Sequence, residues 1–168
     1  MVSNLAIASY DADLEVEHDV KTLQRGGFDM TRVCVMGKDY GAPQHVIAFL
    51  HSGARAQFFG RRAAFWATLA GILVGAALAF APRVGHLVIV GPLASQIVAD
   101  LNAQALRLGQ GSIAGALAAL GIPEDAALVY DAALRAQEVL LIVRGDAQSI
   151  ARARQLLHLA HLRSFETT

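Results

Sequence analysis

The side chains capable of chemistry are few, and they are scattered along the chain. Asp39, Tyr40, His45 and His51 make the densest polar cluster. Histidines that titrate near neutral pH, beside a carboxylate and a phenol, can line a ligand pocket or make a proton-sensitive contact. His45 and His51 are six apart, so on one strand they share a face without sharing a ligand, and edge histidines are the plainer reading. His158 and His161 lie three apart, a helical spacing that can present two metal ligands. Arg154 stands one turn before them and no carboxylate or cysteine joins them, which favours a solvated helix edge. Gly109-Gln-Gly111-Ser112 opens a helix whose free N–H groups can hold a phosphate. It lacks the lysine or the fuller glycine pattern of phosphate loops and reads better as a hinge. Cys34, between Val33 and Val35, reads as buried and inert. There is no Gly-x-Ser-x-Gly elbow and no paired carboxylate scaffold. The expectation is a protein without catalytic residues, resident metal or cofactor.

Composition narrows the classes further. Of 168 residues, 55 % are hydrophobic and 17 % charged, against about 45–50 % and 25 % in an average globular chain. The 14 basic and 14 acidic side chains cancel, which leaves no electrostatic footprint for nucleic acid. One cysteine permits neither an internal disulfide nor a zinc cluster. The first ten residues lack the features of a secretory signal, so a cytoplasmic or cytoplasm-facing location is expected.

The hydrophobic excess is concentrated between residues 63 and 121, where only Arg83, Asp100 and Arg107 are charged. Small residues recur there every fourth position, at Ala63, Ala67, Gly71, Gly75 and Ala79, then at Gly91, Ser95, Ala99 and Ala103. Gly111, Gly115 and Ala119 repeat the spacing briefly. On a helix such ladders make flat stripes for close packing, as in small-xxx-small membrane helices. Residues 63–82 form an uncharged run of about 20, long enough to span a bilayer as helix. Residues 82–85 would turn, and residues 86–98 would return as a second, more amphipathic arm broken at Gly91-Pro92.

Around this segment the chain reads as an ordinary α/β domain. Residues 5–10 and 32–36 are strands, taken as parallel neighbours joined by a helix whose apolar stripe is Val16, Val20 and Leu23. Gly26-Gly27 stops that helix, and residues 46–50 can form an edge strand. Residues 112–120 make a short helix, and residues 127–134 and 138–144 read as a β-hairpin. Asp146 caps a last helix with Ile150, Ala153, Leu157 and Ala160 on its core face. The tail after Arg163 is expected to fray. The class is α+β: a ferredoxin-like four-stranded sheet with helices on one face. Residues 1–57 and 109–168 are its halves, and residues 58–108 an inserted glycine-rich hydrophobic helical hairpin.

Ala8-Ser9-Tyr10-Asp11, Gly26-Gly27-Phe28-Asp29 and Val35-Met36-Gly37-Lys38-Asp39-Tyr40 resemble a family of small bacterial general stress or heat-induced stress proteins. Phe59-Gly60 with Ala64-Phe65-Trp66, Leu120-Gly121-Ile122-Pro123 and residues 140–145 continue the likeness over nearly the whole chain. The resemblance implies this fold and a stress-related context, and carries over no site.

Two readings of the hydrophobic segment follow. In the first, a stress-associated protein inserts the hairpin into the lipid bilayer from the cytoplasmic side, with Arg61 and Arg62 at the entry. In the second, a soluble homo-oligomer buries its hairpins against one another, with Ile97, Val98 and Leu101 facing neighbouring copies. Self-association through the ladders is expected in both. A small-ligand or metal sensor built on residues 39–51 is a third.

Overall fold

Val139 to Val143 is apolar at every position, with no alternation. A strand of this kind fits only where both of its faces are covered, and that requirement shapes the molecule. The computed structural model describes residues 3–38, 63–109, 111–157 and 162–167. In chain order the elements are β1 (Ser3–Tyr10), α1 (Asp13–Arg25), β2 (Val33–Lys38), α2 (Ala63–Ile72), β3 (Ala76–Ala81) and β4 (Gly85–Val90). They continue with α3 (Ala94–Leu108), α4 (Ile113–Ala119), α5 (Glu124–Arg135), β5 (Val139–Gly145), α6 (Ala147–Leu157) and β6 (Arg163–Thr167).

The fold is α+β. A six-stranded sheet runs in the order β3-β4-β2-β5-β1-β6, and every neighbouring pair is antiparallel. The strands β1 and β2 do run parallel to each other, but β5 lies between them and pairs with both. The expectation that they are neighbours is therefore corrected. Residues 163–167, expected to fray, pair with β1 from Ser3↔Thr167 to Ile7↔Arg163 and close one side of the sheet.

Helices cover both faces, where one covered face was expected. On one side Leu5, Ile7, Cys34, Met36, Leu87, Ile89, Leu140 and Ile142 pack against Ile97 and Leu101 of α3, and against α4 and α5. On the other, Ala6, Ala8, Val33, Val35, Val88, Val90, Leu141 and Val143 pack against α1, α6 and the Phe65, Trp66 and Leu69 side of α2. Alternate residues of each central strand feed opposite cores, as the two-residue period of a strand requires.

The inserted helical hairpin is not what the chain forms. The uncharged run at residues 63–82 divides into the ten-residue α2, a bend, and β3. Residues 86–90, the expected second helical arm, are strand, and only from Ala94 does helix resume. Ten helical residues reach about 15 Å. Among the described residues no helix is long and apolar enough to cross a membrane. Uncharged sequence here reflects burial against a two-sided sheet, a demand that reads like a lipid-facing helix in composition alone.

The ladder glycines do different work from the stripe expected of them. Gly75 (φ +93°) and Gly91 (φ +127°) sit at the open end of the β3–β4 hairpin, where the Gly91 N–H donates to the Gly75 carbonyl at 2.7 Å. A Cβ on Gly91 would stand 2.5 Å from the Val33 carbonyl oxygen, so only glycine lets the chain pass over β2 there. Residues 127–134, expected as a strand, belong to α5; Ala126, Ala127, Tyr130, Ala133 and Leu134 are buried at helical spacing.

Candidate functional site

The residues singled out for chemistry fall into two groups. Asp39, Tyr40, His45, His51, His158 and His161, with the expected edge strand at 46–50 and the Arg61-Arg62 boundary, lie outside the described residues. Cys34 is fully buried, and desolvation pushes its thiol up to about 12. A thiol held protonated in this way is no nucleophile. Among the described residues no three His, Cys, Asp or Glu side chains gather as a metal site.

Neither oligomerisation ladder is one continuous helical stripe. Ala63 opens α2; Ala67 and Gly71 are exposed on it, away from the Phe65–Trp66–Leu69 side. Gly75 and Gly91 lie in the hairpin's open end, and Ala79 lies in β3. Ser95, Ala99 and Ala103 are exposed on α3, opposite the buried Ile97 and Leu101. Ile97 and Leu101 thus serve the chain's own core, and Val98 packs against it too, where contacts with other copies were expected. Only the brief third ladder makes a close helix approach. A Cβ on Gly111 would meet the Leu101 carbonyl oxygen at 2.7 Å, and one on Gly115 the Gln104 side chain at 2.4 Å.

That approach builds a polar joint which sequence reasoning missed. Gln104 and Asp131 are the buried polar side chains among the described residues, 6 % and 4 % exposed. Gln104 Nε2 donates to Asp100 Oδ2 at 2.8 Å and to the Ser112 carbonyl at 3.3 Å, while its Oε1 accepts from the Ser112 N–H at 3.1 Å. Ser112 caps α4, its Oγ accepting from the Gly115 N–H at 3.0 Å. Asp131 Oδ2 accepts from the Ala114 N–H at 3.3 Å, and its Oδ1 from Arg135 Nε at 3.0 Å. The anion at the start of α4 is therefore the chain's own carboxylate, and the N–H groups of Ser112, Ala114 and Gly115 are taken by Gln104, Asp131 and the Ser112 Oγ.

Beside this joint lies a cavity of about 320 Å³ between α3, α4, α5 and the β3–β4 turn. Arg83, in that turn, and Arg135 line it, with Val84, Ile113, Leu108 and Leu128 as apolar wall. The turn is fixed locally: the Val84 N–H donates to the Ala81 carbonyl at 3.0 Å, and Gly85 follows at φ +103°. A turn followed by a left-handed glycine is the usual three-residue hairpin closure.

The second feature is the side of β3 turned away from β4. Its pairing with β4 runs Ala76↔Val90 to Ala81↔Gly85. With Gly91 bonded to Gly75, alternation directs the N–H and C=O groups of Ala77, Ala79 and Ala81 at β4 and those of Ala76, Leu78 and Phe80 outward. Among the described residues no strand pairs with that side. Phe80 is 57 % exposed, its ring edge-on to His86.

No family model matches this chain, and neither the curated proteins nor the solved structures give a significant match.

Proposed function

We propose that the chain is a non-enzymatic self-association module whose copies join edge to edge through β3. The observation that carries this reading is the edge itself: Ala-Ala-Leu-Ala-Phe-Ala has no charge, proline or glycine. Natural sheets usually protect a free edge with lysine, proline or a bulge. An antiparallel union about a two-fold axis would set Leu78 opposite Leu78 and Ala76 opposite Phe80 of the second copy. Each outward N–H and C=O would then gain a partner, and both exposed Phe80 rings would be covered. Such a contact replaces the helical zipper as the means of association. Beneath it we infer a ferredoxin-like core, β6-β1-β5-β2 with α1 and α6, in the chain order β-α-β-β-α-β once residues 63–135 are set aside. The strands β4 and β3 extend that core to the joining edge. The resemblance to stress proteins supplies the setting.

Light scattering on the purified chain tests this directly. The expected result is twice the mass of one chain, falling to a single chain in Phe80→Lys, which places a charge on the edge without touching the core. A monomeric wild type at ~100 μM, a concentration at which micromolar self-association is nearly complete, would overturn the reading. So would a Phe80→Lys variant that stays dimeric.

A further inference from the structure

The cavity beside α4 has the lining of a ligand site, and its polar atoms say which ligand. Its carboxylate and amide oxygens are already engaged: both Asp131 oxygens and the Gln104 Oε1 hold internal donors. What remains is donor capacity. Arg135 uses Nε on Asp131, and its two terminal nitrogens have no hydrogen bond among the described residues. Arg83 has no hydrogen bond or ion pair among them at all. Two guanidiniums against one carboxylate leave a single uncompensated positive charge in the lining.

We propose that this cavity binds an amphipathic monoanion, a carboxylate carrying a short apolar body. Arg83 and the outer nitrogens of Arg135 take the carboxylate, for which a planar guanidinium is the natural fork. Leu108 and Leu128, 71 % and 52 % exposed, take the apolar part. Their exposure at a cavity mouth is explained by an occupant that covers them. The volume lies at the low end of the about 300–1,000 Å³ of small-molecule pockets, which limits the body to a short chain or a single ring. A dianion such as phosphate fits less well, because the buried Asp131 carboxylate opposes the second charge and phosphate leaves the leucines uncovered.

Isothermal titration with sodium butanoate, hexanoate, octanoate and inorganic phosphate tests the assignment on wild type, Arg83→Ala, Leu128→Glu and Phe80→Lys. Arg83 and Leu128 are exposed, so these variants keep their fold, as circular dichroism would verify. Saturable binding that tightens from butanoate to octanoate is expected. Each removed charge–charge contact or introduced rim carboxylate should weaken it about tenfold or more, while Phe80→Lys leaves it unchanged. No saturable alkanoate binding overturns the proposal, as does phosphate binding as tight as octanoate. Equal affinity in wild type, Arg83→Ala and Leu128→Glu places the ligand elsewhere and overturns it too. None of these outcomes depends on whether the chain dimerises.

Discussion

At the residue scale, Cys34 was legible from its neighbours and the polar joint was not. A cysteine between two valines in a strand has only apolar surroundings available, and it lies in the core on the side of Leu140 and Ile142. Asp146 was legible for a similar reason: ahead of a helix it can cap, and its Oδ1 accepts the Ser149 N–H at 2.8 Å. Asp131 and Gln104 belong to no motif. Their signal was positional, since Asp131 shares a helical face with Ala127 and Leu134, and Gln104 with Ile97 and Leu101. Polar side chains on apolar stripes are exceptions that call for partners. Burial of Cys34 also carries a pH dependence. Its thiol is raised from 9.0 to about 12, so the folded state keeps a proton that the unfolded chain releases from about pH 9 upward. Stability from this group is complete below pH 9 and falls by about 1.4 kcal/mol per unit as pH rises toward 12. Tyr10 and Tyr130, also raised by burial, add to the fall at higher pH. Urea titrations at pH 8, 9 and 10 on wild type and Cys34→Ala isolate the thiol: the variant should show a shallower decline. Parallel slopes would contradict a buried, protonated Cys34.

At the scale of elements, composition misled wherever two structures demand the same residues. Helix in lipid and strand between two cores are both uncharged and apolar, so residues 63–82 satisfy either description. What separates them is punctuation. Gly75 at φ +93° and Gly91 at φ +127° mark the open end of the β3–β4 hairpin, yet they fall in step with Gly71 and the alanines, and the four-residue spacing disguised them as members of helical stripes. A pair of substitutions distinguishes the roles. Gly91→Ala forces a side chain into the backbone of Val33 and Cys34 at a conformation L residues avoid. It should cost about 3 kcal/mol or more. Gly71→Ala, with nothing within 4 Å of the added carbon and a helical backbone, should stabilise by up to about 1 kcal/mol. Urea midpoints report both. Equal losses in the two variants would restore the single-stripe reading; opposite signs support the hairpin.

At the scale of the whole molecule, the hydrophobic segment is part of the core. Residues 63–108 supply Trp66, Leu69, Leu87, Ile89 and Ile97, all within 1 % of complete burial. They are divided between the two sides of the sheet. At about 1.5–3 kcal/mol for each buried side chain, these five contribute on the order of 10 kcal/mol. That is comparable with the whole net stability of a domain, about 5–15 kcal/mol. Read as a hairpin for lipid or for other copies, the segment would be removable from a sheet domain complete without it. Placed as it is, its removal strips β4 from β2 and takes α3 and α2 off opposite faces. A chain lacking residues 63–108 should therefore fail to fold cooperatively, with no near-ultraviolet circular dichroism and no sigmoidal urea transition. A soluble remnant that unfolds in one cooperative step, with Cys34 still protected from alkylation, would show that the rest of the sheet closes its cores alone. The two outcomes differ because a two-sided sheet has no spare face. Without β4, α2 and α3 the β2 flank loses its strand partner and part of its cover on both faces, since Cys34, Met36 and Leu140 share a core with Leu87, Ile89 and Ile97, and Val33, Val35 and Leu141 share one with Trp66 and Leu69.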